Sequence, residues 1–351
     1  MDGSESNVAT RGNPGVLATW LFVVAAMVFA IVVVGGITRL TESGLSITQW
    51  QPVTGALPPL SEGEWAREFA LYRRTPQYIN QTGPAGMDLA AFKFIFFWEW
   101  FHRLIGRLIG LAFAVPLAWF WWRGAVPAGY KPRLLALLAL GGLQGVFGWF
   151  MVRSGLSGTM TSVSHFWLSI HLMTALLTLA ALVWTALDLR RADRIGKAQR
   201  ARWTWPVTFA GLVLGVQLVL GAWVAGLDAG HASDTWPLMQ GRLVPEFDET
   251  RGLFYAATRD PFLIHFLHRW WAFATVAALV WFARRVRPLD RKASVAIHSA
   301  FGVQVLLGIA VVLTGVELWL AVAHQLVAAL LVGAFAWGGH VLGRAPLERG
   351  V

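Results

Sequence analysis

Long apolar runs alternate with polar segments along the whole chain. The runs cover residues 17–37, 94–122, 134–152, 164–187, 206–226, 263–283, 296–314 and 319–342. Each run is long enough for a helix to cross the roughly 30 Å hydrocarbon core of a bilayer. The runs lack the alternating apolar and polar positions of a membrane β-barrel. The pattern therefore predicts an all-α polytopic membrane protein with eight transmembrane helices.

Short motifs recur between the first four runs and the last four. Gln-x-x-x-Gly begins at Gln144, Gln217 and Gln304, HLMTALL and HQLVAALL begin at His171 and His324, and His-Arg pairs begin at His102 and His268. These repeats predict two tandem four-helix bundles related by a pseudo-twofold internal repeat. The predicted units are an N-terminal bundle over 1–187, a basic linker over 188–205 and a C-terminal bundle over 206–351. Four helices in each copy give both copies the same orientation in the membrane.

Composition and charge agree with this reading and add an orientation. Hydrophobic residues make up 56% of the 351 residues and charged residues 14%, which is too apolar for a soluble fold of this length. The net charge is +10, and Lys and Arg cluster in alternate loops, at 123–133, 188–205 and 284–292. The positive-inside rule then predicts cytoplasmic N- and C-termini, so the basic residues require no nucleic acid. The first residues lack the pattern of a mitochondrial transit peptide, which favours a bacterial cell inner membrane.

Histidines recur near one end of the even-numbered helices. With a cytoplasmic N-terminus, these helices all enter from the outer surface, and their histidines lie about 8–12 Å below it. They are His102, His171, His268 and His324. The chain has no cysteine, which excludes thiolate ligands and iron–sulfur clusters. Pairs of imidazoles inside a helix bundle suit a haem, although any single buried histidine can instead serve a structural hydrogen bond.

Basic and small residues accompany the histidines. Arg103 and Arg269 directly follow His102 and His268, near the outer surface, where they can pair with haem propionates. The alternative for both arginines is to reach lipid phosphates. Glycines such as Gly35 either leave space for a flat ring or permit ordinary helix packing.

The two halves differ three residues before their His-Arg pair. The first half has Glu99 at this position, and the second half has His265. Residues three apart share a helical face, so Glu99 lies over the same surface as His102. A carboxylate there can stabilise developing positive charge or move a proton. A structural hydrogen bond, or a salt bridge with Arg103, is the alternative, and His265 competes with His268 as a ligand.

Several of these segments together resemble the haem A synthase family. The segments are GGITRLTESGLSITQWQPVTGALPP, EWFHRLIGR, SDTWPLM, FLHRWWAF and AHQLVAALL, and the resemblance runs from about residue 17 to 342. The absence of cysteine is similar to the cysteine-free proteobacterial and mitochondrial branch of that family. The proline-containing segments PVTGALPP and SDTWPLM are expected to fold over the mouths of the haem sites.

The resemblance implies a specific activity and site. The family oxidises the C8 methyl group of haem O to a formyl group, giving haem A for cytochrome oxidase. Residue by residue, His102 and His171 would bracket the iron of the substrate haem O, and Glu99 would be the functional carboxylate. His268 and His324 would ligate the iron of a resident haem b.

Partners and competing functions follow from the same features. The insolubility of the substrate makes association with the farnesyltransferase that produces haem O a reasonable expectation, alongside cytochrome oxidase assembly factors and membrane lipid. The main competing function is a bis-histidine two-haem membrane cytochrome in quinol-linked electron transfer. Such cytochromes usually stack two histidines on one helix, whereas each helix here offers one, in the outer layer. A transporter or haem exporter would not need four paired ligands.

Overall fold

Ten α-helices account for most of the residues that the structure describes. The structure is a computed structural model, and it describes residues 13–196 and 200–344. In chain order the helices are α1 Pro14–Leu40, α2 Glu62–Tyr72, α3 Leu89–Trp122, α4 Lys131–Gly155, α5 His165–Ile195, α6 Trp205–Gly226, α7 Leu253–Arg259, α8 Pro261–Val286, α9 Arg291–Leu313 and α10 Leu318–Arg344. All except α2 and α7 are long and apolar enough to cross a membrane. The predicted all-α polytopic class and its eight transmembrane helices are confirmed.

Helix contacts divide the transmembrane helices into two sets. In the first set α1 packs on α3 and α5, and α4 packs on both α3 and α5. In the second set α8 packs on α6, α9 and α10, and α9 packs on α10. The sets meet where α5 touches α6 and α10, and where α1 touches α10. The division into two bundles at the predicted bounds and their pseudo-twofold relation stay predictions. The termini, whose cytoplasmic side was also predicted, lie outside the described residues, as do residues 197–199 of the predicted linker.

The hydrophobic core continues from one set into the other. Its largest cluster contains Leu17 and Leu21 of α1 and Leu182 of α5, all nearly inaccessible to solvent. Ala329 and Val332 of α10 belong to the same cluster. Apolar packing therefore joins the two sets in the region where α1, α5 and α10 meet.

Polar contacts also cross between the sets. The Gln325 side chain of α10 donates a 2.7 Å hydrogen bond to the backbone oxygen of Val32 in α1. The same amide lies against Gly36, where an added Cβ would overlap it. Near the outer end, Nε2 of His165 lies 2.8 Å from the backbone oxygen of Thr258. A larger residue at position 36 would displace the Gln325 amide from this place.

A buried carboxylate ties α5 to its neighbours at the other end. Asp188 is fully buried and accepts hydrogen bonds from Arg133 at 2.5 Å, from the Ala201 backbone nitrogen at 2.8 Å and from His340 at 3.1 Å. These contacts extend α5 to Ile195, eight residues past the predicted end at 187. The segment 188–195, predicted as linker, is therefore helical because its carboxylate is satisfied inside the protein.

Removing this carboxylate is expected to destabilise the protein. Asp188→Ala would leave the Arg133 and His340 side chains without their partner, and loss of one member of a buried ion pair costs about 3 kcal/mol. Thermal unfolding in detergent should therefore begin at a lower temperature than for the wild type. Asp193→Ala, which removes an exposed carboxylate from the same helix, is the matched control and should leave unfolding unchanged. Equal unfolding temperatures for the two variants would contradict a stabilising role for Asp188.

The segment between α1 and α3 packs on the N-terminal part of α3. Helix α2 begins with a capping box formed by Ser61 and Glu64. Its Phe69 and Tyr72 rings contact Phe92 of α3 at centroid distances of 5.0 and 5.3 Å. The 34 residues of α3 span about 51 Å, which exceeds the bilayer core and leaves its first turns outside. Helix α2 therefore covers part of α3 of its own chain.

Candidate functional site

Each predicted histidine ligand lies against a glycine of a neighbouring helix. A Cβ built on these glycines would lie only 3.0–3.3 Å from the Cε1 atom of the imidazole. The pairs are His102 with Gly35, His171 with Gly148, His268 with Gly221 and His324 with Gly308. The sequence left two roles open for Gly35, namely space for a flat ring or ordinary helix packing. The structure shows that Gly35 lets the imidazole of His102 approach closely. The same contact in all four places gives the rings matching positions between their helices.

The first histidine pair has the spacing of two ligands to one metal. The ring centroids of His102 and His171 are 6.5 Å apart, and their planes are inclined at 56°. Metal–imidazole bonds of about 2 Å on each side, with the half-widths of the rings, place centroids about 6 Å apart. The first pair can therefore hold one iron between its rings. His268 and His324, which lie against Gly221 and Gly308 in the same way, form the second pair.

Unsatisfied imidazole nitrogens support a bound group at both pairs. The Nδ1 atoms of His102 and His324 are buried and have no hydrogen-bond partner in the described part of the chain. Such atoms are uncommon in folded proteins unless a ligand, water or ion completes them. Within residues 13–196 and 200–344, no group of three or more His, Asp or Glu side chains is placed to hold a metal ion. Paired imidazoles with glycine on one side fit the axial ligands of a haem.

Glutamine amides contact three of the four imidazoles. Gln217 Nε2 lies 3.2 Å from Nδ1 of His268, and Gln304 Nε2 lies 3.1 Å from a ring nitrogen of His324. The Gln144 amide lies 3.1 Å from Nδ1 of His171. An amide carries both a donor and an acceptor, so a half-turn lets its oxygen accept from a protonated ring nitrogen.

These glutamines are functional candidates that the sequence reasoning used only as repeat markers. The missed signal is their spacing. A glutamine one helical turn before three of the four glycines places its amide beside the ring that the glycine receives.

Glu99 is held by the loop that follows α1. Its side chain is nearly inaccessible, and Oε2 accepts hydrogen bonds from the Ser46 hydroxyl and the Ile47 backbone nitrogen, both at 2.7 Å. Oε1 accepts from Arg103 at 2.6 Å, and Arg103 also donates to the Ile47 backbone oxygen at 3.1 Å. The salt bridge considered as an alternative role is therefore present, on the same helix as His102. Ser46 and Ile47 were not found by sequence reasoning, because they approach Glu99 only after folding.

His265 and Arg269 form the corresponding contact in the second set. Arg269 is buried and donates from Nε to His265 Nε2 at 3.0 Å. It also donates to the backbone oxygens of Thr235 at 2.8 Å and Ser233 at 2.9 Å. His265 therefore accepts from an arginine, while His268 interacts with His324. The contacts support His268 over His265 as a ligand, and the propionate role of Arg103 and Arg269 stays a prediction.

Arg107 is a second candidate that the sequence reasoning missed. It donates to the backbone oxygens of Pro52 at 2.8 Å and Gln51 at 3.0 Å, so the outer loop runs along α3. Its Nη1 is buried without a partner in the described residues, which leaves a positively charged donor available for an anionic group.

In the second set, the Trp236 ring of SDTWPLM stacks on Phe273 at a centroid distance of 6.5 Å. Both loops lie along the histidine-bearing helices, and their role over the haem mouths remains a prediction.

The other histidines have separate surroundings. His231 is exposed in a short 3-10 turn, and Nδ1 of His298 lies 2.8 Å from the Ser294 backbone oxygen. His340 contacts Asp188, and His165 contacts the end of α7. The contacts found for these histidines are with the protein itself.

Comparison with known proteins identifies the family. The family model described as cytochrome oxidase assembly protein, COX15-CtaA, matches residues 18–336. A protein named heme A synthase from Erythrobacter litoralis is 63% identical over 329 residues, covering 94% of this chain and 98% of the relative. Another heme A synthase, from Novosphingobium aromaticivorans, is 57% identical and covers 95% and 97% of the two chains. The resemblance noted in the sequence is confirmed, and this chain belongs to the COX15-CtaA family of cytochrome oxidase assembly proteins.

Proposed function

We propose that this chain is a haem A synthase, a membrane oxidoreductase that converts the C8 methyl group of haem O to a formyl group. The observation that carries the proposal is that two similar imidazole pairs differ in one feature. A buried carboxylate, Glu99, stands one turn from the His102 and His171 pair, whereas an imidazole stands in the second set. The first pair therefore has a carboxylate that can act on a bound haem, whereas the second pair has residues that only bind one. Relatives named heme A synthase cover nearly the whole chain.

The residues divide between substrate and cofactor. His102 and His171 hold the iron of the substrate haem O, while His268 and His324 hold the iron of a resident haem b. Haem b supplies one-electron transfer when bound. Arg103, Arg107 and Arg269 lie beside the outer loops and provide positive charge for the propionates. The buried Glu99 beside the first pair, with His265 at the corresponding place in the second set, supports this division.

Glu99 contributes a fixed negative charge. Its oxygens already accept three hydrogen bonds, two on Oε2 and one on Oε1, which leaves one acceptor position on Oε1. A carboxylate held in this way does not have to reorganise when positive charge develops nearby, so its stabilising effect is fully available during the reaction. The free position on Oε1 can also receive a proton from the reacting group. Ser46 and Arg103 are positioning residues for this carboxylate.

The proposed location is a bacterial cell inner membrane, with both termini in the cytoplasm and the histidine layer toward the outer face. The eight apolar helices establish a multi-pass membrane protein, and the basic loops support the orientation. Haem O is a membrane-bound substrate, so delivery by the farnesyltransferase that makes it fits this placement. Cytochrome oxidase assembly factors are the expected recipients of the product.

Analysis of cellular haems tests the proposed reaction. Cells lacking this chain should contain no haem A and should accumulate haem O, as measured by chromatography and mass spectrometry of extracted haems. Reintroducing the wild-type chain should restore haem A, and a His102→Ala chain present at the same level in the membrane should not. Unchanged haem A in the deletion strain would instead favour a two-haem cytochrome in quinol-linked electron transfer.

A further inference from the structure

One imidazole of the four lacks the glutamine that contacts the others. Gln144, Gln217 and Gln304 each lie one helical turn before the glycine that receives a histidine ring. The corresponding glycine for His102 is Gly35, and one turn before it stands Ile31. An aliphatic side chain therefore stands beside His102 where an amide stands beside the other three histidines. His102 belongs to the pair proposed to bind the substrate.

The surroundings of Ile31 confirm that it occupies the equivalent place. A Cβ on Gly35 would lie 3.0 Å from Cε1 of His102, the same distance as for Gly221 and His268. Ile31 points toward α3, where its Cδ1 would lie 3.6 Å from a Cβ on Gly106, one turn beyond His102. His102 and His268 therefore meet their glycines in the same way, and the residue one turn before the glycine is isoleucine in one place and glutamine in the other.

The consequence for His102 is visible in its hydrogen bonding. Its Nδ1 is buried and finds no partner in residues 13–196 and 200–344. Nδ1 of His324 also lacks a partner there, but the Gln304 amide lies beside that ring. A hydrogen bond from the outer ring nitrogen of a ligating histidine fixes the ring and raises its basicity. Loss of such a partner typically lowers metal affinity 10- to 100-fold. The Gln144 and Gln217 amides lie 3.1 and 3.2 Å from Nδ1 of His171 and His268, and the Gln304 amide lies 3.1 Å from Nε2 of His324. His102 has no amide beside its ring in the described residues.

We propose that Ile31 makes His102 the weak ligand of the four, so that haem bound by His102 and His171 exchanges while haem bound by His268 and His324 is retained. The inference rests on the proposed function, which requires one haem to enter as substrate and leave as product. An enzyme with four equally strong ligands would hold its product as firmly as its cofactor. Ile31 is therefore a residue that determines which of two similar sites turns over.

Haem transfer to excess apomyoglobin measures the exchange without any catalysis. The full-length protein, loaded with haem O in detergent, should lose one haem quickly and one slowly. Ile31→Gln should slow the fast phase 10- to 100-fold, because the new amide can contact His102 as Gln217 contacts His268. Ile31→Leu, which keeps an aliphatic side chain of equal size, is the matched control and should leave both phases unchanged. Gln304→Leu should accelerate the slow phase instead.

The outcomes separate this inference from the proposed function. A fast phase that Ile31→Gln does not slow, in a protein whose slow phase and unfolding temperature are those of the wild type, would overturn the role of Ile31. Slowing by Ile31→Leu as well would overturn it too, because the effect would then be one of packing. Neither result bears on whether the deletion strain accumulates haem O. A misfolded Ile31→Gln protein would be recognised by its altered slow phase, and the acceleration expected for Gln304→Leu would then decide.

Discussion

Replacing Glu99 by alanine is expected to reduce haem A formation at least 100-fold while haem O remains bound. A preorganised charge or hydrogen-bonding group at a reacting centre typically contributes 10²- to 10³-fold to the rate. Neither iron site loses a ligand, and alanine is compatible with the α3 helix. The measurement is haem A produced per molecule of membrane protein, together with haem O content. A hydroxylated haem should accumulate if the carboxylate acts mainly in the later oxidation step.

Glu99→Gln should be nearly as damaging as alanine, for a reason that the structure supplies. The carboxylate accepts from donors on both oxygens, and glutamine has only one oxygen. In either orientation, its NH₂ group meets the N–H of Ile47 or the guanidinium of Arg103. Glutamine therefore removes the charge and also leaves a buried donor unpaired, at a local cost of about 1–3 kcal/mol.

Ser46→Ala provides the matched control for charge. It removes one of the three hydrogen bonds to Glu99 and keeps the carboxylate, so activity should fall only a few-fold, as expected for about 1 kcal/mol. If Ser46→Ala were as inactive as Glu99→Gln, the position of the loop would be the decisive factor. Normal haem A formation by Glu99→Gln would rule out a catalytic role for the charge.

Replacing His268 or His324 by alanine is expected to remove the haem b that we propose for the second pair. Each variant loses one of two axial ligands, so the low-spin bis-histidine spectrum should disappear and b-type haem content should fall about tenfold or more. The protein should still reach the membrane. Added imidazole should partly restore the spectrum, because Gly221 or Gly308 leaves room beside the missing ring.

His265→Ala is the matched control for this assignment. His265 contacts Arg269 and stands three residues from His268, so its loss should alter the outer loop but not the iron ligands. Haem b content should stay near that of the wild type. A normal bis-histidine spectrum in both His268→Ala and His324→Ala would exclude them as ligands, and loss of haem in His265→Ala would transfer the assignment.

The transmembrane helices could be predicted from sequence because a bilayer demands long apolar runs, but their ends could not. Several helices begin at a polar cap outside the apolar run. Asp88 accepts from the third residue of α3, and Asp260 does so at the start of α8. Such caps terminate a helix through local hydrogen bonds that hydropathy does not register. The end of α5 depends on Asp188, whose partners come from distant parts of the chain.

The same limit applies to the site. Residues that recur at helical spacing could be predicted from the sequence, and partners that come from distant parts of the chain could not. Spacing and repetition were sufficient to nominate His102 and Glu99. The partners of Glu99 were not predictable, because Ser46 and Ile47 belong to a loop without regular period. The glutamines were visible as repeats, and their function appeared only when the glycine one turn away was seen to receive an imidazole ring.

Two adjacent glycines of α1 each receive a side chain from a different set of helices. Gly35 receives the ring of His102, and Gly36 receives the amide of Gln325, the neighbour of His324 in the other set. A side chain added at Gly35 would meet the His102 ring in the first set, and one added at Gly36 would meet the Gln325 amide in the second. One turn of α1 therefore packs closely against both sets, so we expect a change in this turn to affect both, and either set expressed alone to lose one of these contacts.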